Sequence, residues 1–486
     1  MRALLVSYPF PPVAGAGVGR AIKLCKYLPE HGVIPTVLTV KNPSAPILDR
    51  SLLDEIPAGT RVIRARTLEP GYGLKRRMWE SVAQEGNSHG PATPRRSPAR
   101  PILRALAVGR ELLAPDPQIL WQPAAQLALA RRLVAGADDA VVISGPPFSQ
   151  FLLAPLARLR PKTAVVLDYR DEWSTYRNEY EMMGALSRVI GEPLERALLH
   201  MSHVVTTATE AFRARLLDQF SFLDPERVVC VPNGYDPDDF PSPLPVPPPD
   251  RFVITYAGTV FRLTSPRGFL DALARLHEQS PKLAKKLEVR FIGRVVDTES
   301  ERLAQAERLG VVRTGYQEKG QVLRALAASH MTMCLLDDVP GAERIYPGKI
   351  FELMYLGRPC LTLAPRGALT DLVRHHRLGP IALPRDAGAI CRILTAALRA
   401  FAEGGFPHRS EALRIERYHR RQLAGELAMA LRIAHRVAHG GHPLGAAVRS
   451  SIPRPPSGMT RGLRGSPAAL GDDPGPSRAP ARATRH

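Results

Sequence analysis

Asp168, Arg170, Asp171 and Glu172 fall within five residues of one another, with Trp173 beside them. Carboxylates next to a guanidinium can orient a substrate hydroxyl, move a proton or stabilise charge at a reacting centre. The competing reading is a salt bridge between Arg170 and one carboxylate, with Trp173 in the core. That reading suits Asp168, one step back along a buried run. It suits Asp168 and Asp171 together less well, because burying three ionisable residues in four is costly without a task. Just upstream, Ser144-Gly145-Pro146-Pro147-Phe148-Ser149 occupies the loop after the preceding apolar run.

A second candidate is Tyr346-Pro347-Gly348-Lys349-Ile350-Phe351-Glu352, continuing to Gly357-Arg358-Pro359. Pro347 near the start and Gly357 at the end delimit a short helix, with Lys349 and Glu352 three apart in its first turn. A cation with free N–H groups suits a diphosphate, and a carboxylate suits paired ribose hydroxyls. An exposed ion pair between the two is the alternative. A third candidate is the loop Pro9-Phe10-Pro11-Pro12-Val13-Ala14-Gly15-Ala16-Gly17-Val18-Gly19-Arg20. Gly15 and Gly17 between a strand and a helix allow backbone N–H groups to approach a phosphate. The dinucleotide fingerprint G-x-G-x-x-G fails, since its third glycine falls on Arg20. The second apolar run also ends at Lys41, without a ribose-holding acid, which argues against NAD. The alternative is a turn that tightens strand–helix packing.

The elements that must position these residues are short apolar runs alternating with helical stretches. The runs cover 3–7, 35–40, 61–65, 140–144, 164–168, 203–207, 228–231, 252–257, 288–292, 331–336, 359–363 and 380–383. Runs rich in Val, Ile and Leu read as strands buried on both faces of parallel sheets. Their alternation with helices predicts doubly wound α/β architecture, with ligands at the carboxyl ends of the strands. There are too many for one sheet, so the Pro-rich stretch 241–249 is expected to link two Rossmann-like domains. A mobile loop is expected at 84–100, and a disordered tail at 441–486, where seven Arg face two Asp. The acids Asp236, Asp238, Asp239, Asp337 and Asp338, flanked by Pro and Gly, read as ordinary turns rather than a metal site.

Composition narrows the class. The 486 residues are 44% hydrophobic and 23% charged, enough for two to four folded domains. Five scattered cysteines form no C-x-x-C pair and read as reduced cytosolic thiols. No apolar stretch is long enough to span a membrane, and the start is too short for a secretory segment. The net charge of +20 favours acidic surfaces. Aromatics are only 6% and are not interleaved with arginine, so no nucleic-acid partner is expected. Between 70 and 115, Lys75, Arg76, Arg77, Arg95, Arg96, Arg100, Arg104 and Arg110 flank Ile102, Leu103, Leu106 and Leu113. This region either docks on an anionic membrane or packs on the domain core.

In this order, the three segments resemble the GT-B glycosyltransferases, specifically the glycosyltransferase family 4-like group. Val231-Pro232-Asn233-Gly234-Tyr235-Asp236 is similar to that family's hinge, and Thr255-Tyr256-Ala257-Gly258-Thr259 to the first strand of its donor domain. Tyr418-His419-Arg420-Arg421-Gln422-Leu423 is similar to its crossing-back segment. The resemblance spans residues 1–438. It implies two Rossmann-like domains facing a cleft: an acceptor domain at 1–235, a nucleotide-sugar donor domain at 236–400, and helices at 401–440 that cross back. It further implies retaining, metal-independent transfer from a nucleotide diphosphate sugar to a polysaccharide, glycolipid or other acceptor, lipid-linked ones included. No cofactor is expected, and the setting is cytoplasmic, at the inner membrane face. On this resemblance Gly15, Gly17, Gly258, Thr259, Arg262, Tyr346, Gly348, Lys349 and Glu352 meet the donor, and Asp171, Arg170 and Lys349 carry the catalytic work. There are two departures. Where the family often has a glutamate eight residues before Glu352, this chain has Arg344, with Glu343 beside it. Arg262 and Arg267 also compete for one basic role. A GT-B epimerase and a non-catalytic nucleotide-sugar or nucleic-acid binding protein are the alternative functions.

Overall fold

The structure is a computed structural model that describes residues 1–15, 17–75, 113–175, 185–407, 409–410 and 412–443. The loop expected at 84–100, the basic stretch from 76 to 112 and the tail beyond its first three residues lie outside the described residues.

The first sheet has seven parallel strands: β1 (Arg2–Val6), β2 (Ile34–Val40), β3 (Arg61–Ala65), β4 (Ala140–Gly145), β5 (Ala164–Tyr169), β6 (Val204–Thr207) and β7 (Val228–Cys230). Their order is β3-β2-β1-β4-β5-β6-β7. The second sheet has β8 (Phe252–Ala257), β9 (Leu287–Ile292), β10 (Val311–Gly315), β11 (Met331–Leu335), β12 (Cys360–Leu363) and β13 (Ile381–Ala382), ordered β10-β9-β8-β11-β12-β13. These are two Rossmann-like domains. In each, the strand order reverses beside the first strand, which opens a crevice at the carboxyl ends. β1, β4 and β5 are buried almost throughout, because helices cover both faces.

Every expected run is a strand to within one residue at either end. β10 was not foreseen. It is an edge strand in which only Val311 is buried, so Val312, Arg313, Thr314 and Gly315 carry no apolar signal.

The helix Arg420–Ala438 returns to the first domain. Ala424, Leu427, Ala428, Leu431 and Ala434 pack there with Ala3, Leu5, Val142 and Val166. Each leucine so buried contributes roughly 1.5–3 kcal/mol. The returning chain crosses the hinge in direct contact with it. Tyr235 N donates to Tyr418 O at 3.0 Å, and Arg420 N donates to Tyr235 O at 2.9 Å. A side chain at Gly234 would begin 2.0 Å from Tyr418 O, so only glycine lets the two segments meet.

The acids after the hinge do more than make turns. Asp236, fully buried, accepts from Lys26 at 2.9 Å and from the Tyr27 hydroxyl at 2.7 Å, and pairs with Lys23 at 2.8 Å. Lys319 of the second domain then joins Asp239 at 2.9 Å and Glu55 of the first domain at 3.0 Å. The helix Val18–Tyr27 is thereby fastened to the hinge.

Candidate active site

The glycine loop, the ends of β4 and β5 and the hinge converge at the mouth of the first domain. Asp168, at 1% exposure, is fully engaged. It accepts from Arg20 Nη2 at 2.7 Å and Nε at 3.2 Å, from Thr206 Oγ1 at 2.7 Å and from Ser144 Oγ at 2.8 Å. Burial alone would raise its carboxyl pKa, but Arg20 and the two hydroxyls outweigh it and hold it below the ordinary value. Arg20, where the dinucleotide fingerprint wants glycine, also donates to Pro232 O at 2.9 Å. One guanidinium therefore ties β5 to the hinge.

Arg170 turns back toward the loop after β4. Its Nε donates to Gly145 O at 3.3 Å and its Nη2 to Pro146 O, and the side chain is buried. Its guanidinium also lies against Gly17, which has a left-handed φ of 92°. Asp171 is exposed. Loss of water raises its carboxyl pKa, against the pull of Arg170. Phe148 stacks on Trp173 with ring centroids 4.9 Å apart, an aromatic backing for this segment.

Glu172 faces the other domain. Arg344 Nε and Nη2 donate to its two carboxylate oxygens at 2.7 and 2.9 Å. The Glu172 side chain is 5% exposed and that of Arg344 18%. Thr209 Oγ1 adds a bond to Arg344 O at 2.8 Å. The residue standing where a glutamate was expected is thus paired across the cleft with a carboxylate of the first domain, and with Glu343 beside it.

Lys349 is the residue before the helix Ile350–Leu356, and Gly357 caps its far end with a φ of 66°. Lys349 and Glu352 are half-buried and do not form the ion pair offered as their alternative. Gly348 abuts the hinge: a Cβ there would lie 3.7 Å from Asn233 Nδ2. Arg420 is close enough to Arg20 and Glu352 to feel both charges. Burial and Arg20 push its pKa down to about 10, against the pull of Glu352. Tyr346 packs edge-on to Phe351 at 5.9 Å, and burial, with Tyr418 and Cys230 nearby, pushes its hydroxyl up against the pull of Arg417.

Gly258 and Thr259 follow β8. Thr259 is exposed, and its carbonyl accepts from Tyr256 at 3.0 Å and Thr264 at 2.7 Å. Arg262 and Arg267 both line a cavity of about 310 Å³ with Ser265, Glu299, Asp337 and Arg385. Arg267 is held by Glu299 at 3.1 Å, and Arg385 by Asp337 at 3.3 Å. The structure therefore groups the predicted residues in three clusters: Gly17, Arg170 and Asp171; Gly348, Lys349 and Glu352; and Arg262 beside this cavity.

Sequence reasoning missed Arg20 as a structural cation, the Glu172–Arg344 pair and Arg420. Arg20 carried a usable signal, a charge at an apolar-flanked helix start. Glu172 and Arg344 are 172 residues apart, and no spacing rule links them.

Among the described residues, no helix is long and apolar enough to cross a membrane. Residues 17–234 match the family described as a glycosyl transferase 4-like domain. No curated protein matches the chain in sequence. Among solved structures, the chain is similar to a sucrose-phosphate synthase from Thermosynechococcus elongatus, with 15% identity, a TM-score of 0.59, and 89% of this chain and 98% of that one covered. It is also similar to the lipopolysaccharide outer core galactosyltransferase WaaB, at 14% identity and a TM-score of 0.52, covering 89% and 99%. A third is HepE of Anabaena, solved in complex with UDP, at 13% identity and a TM-score of 0.51, covering 90% and 99%. Residues 17–234 match the glycosyl transferase 4-like domain family, and the chain as a whole has the GT-B fold.

Proposed function

We propose that this enzyme moves a sugar from a nucleotide diphosphate donor to a polysaccharide, glycolipid or other acceptor, with retention and without an essential metal. The observation that carries the reading is the meeting of two segments at the hinge. Arg20 holds both the end of β5 and Pro232, and the donor loop at Gly348 comes up against Asn233. In this reading the nucleotide lies on the second domain, with Glu352 on the ribose and Lys349 on the diphosphate. The N–H groups around Gly15 and Gly17 approach the diphosphate from the first domain. Asp171 faces the reacting sugar, and the cations stabilise the departing diphosphate. The UDP named in the HepE complex makes uridine donors the first to try.

The enzyme is expected at the cytoplasmic face of the cell membrane, drawn there by its +20 charge. A thermal-shift screen of the full chain against nucleotide diphosphate sugars tests the donor, because a ligand that binds the folded state raises apparent stability. A shift with one donor, followed by nucleoside diphosphate release when acceptor is added, is the expected result. No shift with any donor would overturn the reading.

A further inference from the structure

The geometry points to Glu172 and Arg344 as a positioning pair that sets Asp171 against the donor loop when the two domains close, an inference that rests on the transfer reading above. The contact is a two-pronged guanidinium–carboxylate pair at 2.7 and 2.9 Å, with both side chains largely buried. Such pairs fix direction as well as distance, because two parallel bonds define a plane.

Each partner is rigid within its own domain. On the first domain, Trp173 stacks on Phe148, and Ser174 N donates to the buried Glu195 at 2.9 Å. Glu172 therefore cannot drift from the end of β5. On the second domain, Gly341 N donates to Glu343 Oε2 at 2.9 Å. The same turn lies so close to Gly367 that a Cβ there would begin 2.3 Å from Glu343 O. Arg344 is thus presented by a braced turn.

The pair joins these two bodies next to the proposed chemistry. Glu172 follows Asp171 directly, and Arg344 precedes Lys349 by five residues. Thr209 Oγ1, donating to Arg344 O at 2.8 Å, steadies the same turn from the first domain, whereas Tyr316 with Asp49 at 2.8 Å and Lys319 with Glu55 tie the domains at neither segment. Closure through Lys319 and Tyr316 alone would bring the domains together without fixing where Asp171 stands. Neither Glu172 nor Arg344 needs to touch the donor for this, so their effect belongs in turnover more than in binding.

The test uses the full-length enzyme with Glu172→Gln, Arg344→Gln and Arg344→Lys. Three quantities are measured: kcat and KM with the donor found in the screen, affinity for its nucleoside diphosphate by calorimetry, and the radius of gyration by X-ray scattering across a salt series. The two Gln variants are expected to lose about tenfold or more in kcat, with diphosphate affinity within about threefold. Arg344→Lys, which keeps the charge but loses the two-pronged geometry, is expected to fall between them and the parent. The parent's radius of gyration is expected to rise with salt, and the Gln variants are expected to be expanded already at low salt. Parent-like turnover and parent-like scattering in both Gln variants would overturn the inference, as would a loss confined to nucleotide affinity. If scattering changes as expected while the parent turns over no nucleotide sugar, the transfer reading is what fails, and the pair is only a domain clamp.

Discussion

The guanidinium of Arg170 fills the space in which a side chain on Gly17 would stand: a Cβ built there would come 1.6 Å from Arg170 Nη1. The loop glycine and the strand-end arginine are therefore one feature, although 153 positions separate them. Arg170 reaches this place because its other nitrogens are held by Gly145 O and Pro146 O. Its proposed catalytic part is consequently to hold the loop's N–H groups in line.

Gly17→Ala is expected to displace Arg170 as well as strain the backbone. A left-handed φ costs an ordinary residue about 1–2 kcal/mol, and here the methyl must also push the Arg170 guanidinium aside. Gly15 also has a positive φ, of 124°, but nothing within 4 Å of its would-be Cβ. Gly15→Ala should therefore show the strain alone. Chemical denaturation of both variants checks this, and equal losses would separate Gly17 from Arg170.

Asp168 and Arg20 are expected to matter for folding rather than for turnover. Removing one charge from a buried pair leaves the other uncompensated, at a cost of about 3–5 kcal/mol, so Asp168→Asn should be strongly destabilised. The Asp168 pKa is depressed in the folded state. Its contribution is thus complete above the unfolded value of about 3.9 and lost as pH falls through the folded value. Acid unfolding of parent and variant should differ most near neutrality and converge at low pH. A variant as stable as the parent at pH 7 contradicts this.

How legible all this was depends on whether a feature is local. β1, β4 and β5 are continuous apolar runs, and the short helix after Lys349 is bracketed by Pro347 and Gly357, so the strands and this helix could be read directly. β10 was invisible because a solvent-facing edge imposes no apolar pattern. Asp168 was separable from Asp171 by its position one step back on the strand. The partners of Arg20, Arg344 and Arg420 were not, because a cation's place in the chain says nothing about which distant carboxylate it meets. The acids after the hinge were read as turns for the same reason: Lys23 and Lys26 precede Asp236 by more than 200 residues.

Glu195 is expected to make stability fall as pH rises. Burial, only partly offset by hydrogen bonds from Ser174 and the Tyr169 hydroxyl, raises its pKa from 4.5 to about 7. A raised pKa means stability is fully present below the unfolded value and lost as pH rises through the folded one. The shift corresponds to about 3 kcal/mol. Glu195→Gln keeps an acceptor for Ser174 N without the charge. The variant should match the parent at pH 5 and exceed it at pH 8 in thermal unfolding. A pH-independent difference would place the titration elsewhere.

Asp171 is expected to act in turnover. It alone of the segment's three carboxylates is exposed, since Asp168 is committed to Arg20 and Glu172 to Arg344. Asp171→Asn should lower kcat strongly while donor affinity stays within a few-fold, the pattern of a contact that strengthens in the transition state. Steady-state kinetics beside calorimetry decides it. Full activity or an unfolded variant would return Asp171 to a structural role.

Glu352 and Lys349 are expected to carry donor binding in different ways. Glu352 is half-buried, is not paired with Lys349, and lies within reach of the Arg420 charge. A carboxylate so placed can accept from ribose hydroxyls, a contact present before and throughout the reaction. Losing a charge-assisted hydrogen bond costs about 1.5–3 kcal/mol, so Glu352→Ala should weaken the donor roughly ten- to hundred-fold. The free nucleoside diphosphate should weaken equally, since it keeps the ribose. Lys349 instead faces charge that grows as the diphosphate departs. Lys349→Ala should therefore depress kcat more than it raises KM. A surface ion pair between the two would have predicted losses well under about 1 kcal/mol in stability and none in binding, but the structure does not form that pair. Calorimetry of both variants with the nucleoside diphosphate, beside kinetics with the whole donor, separates the two roles. If both variants bind the nucleotide as tightly as the parent, the donor site does not include this helix, and the ribose and diphosphate contacts must be sought around the Arg262 cavity instead.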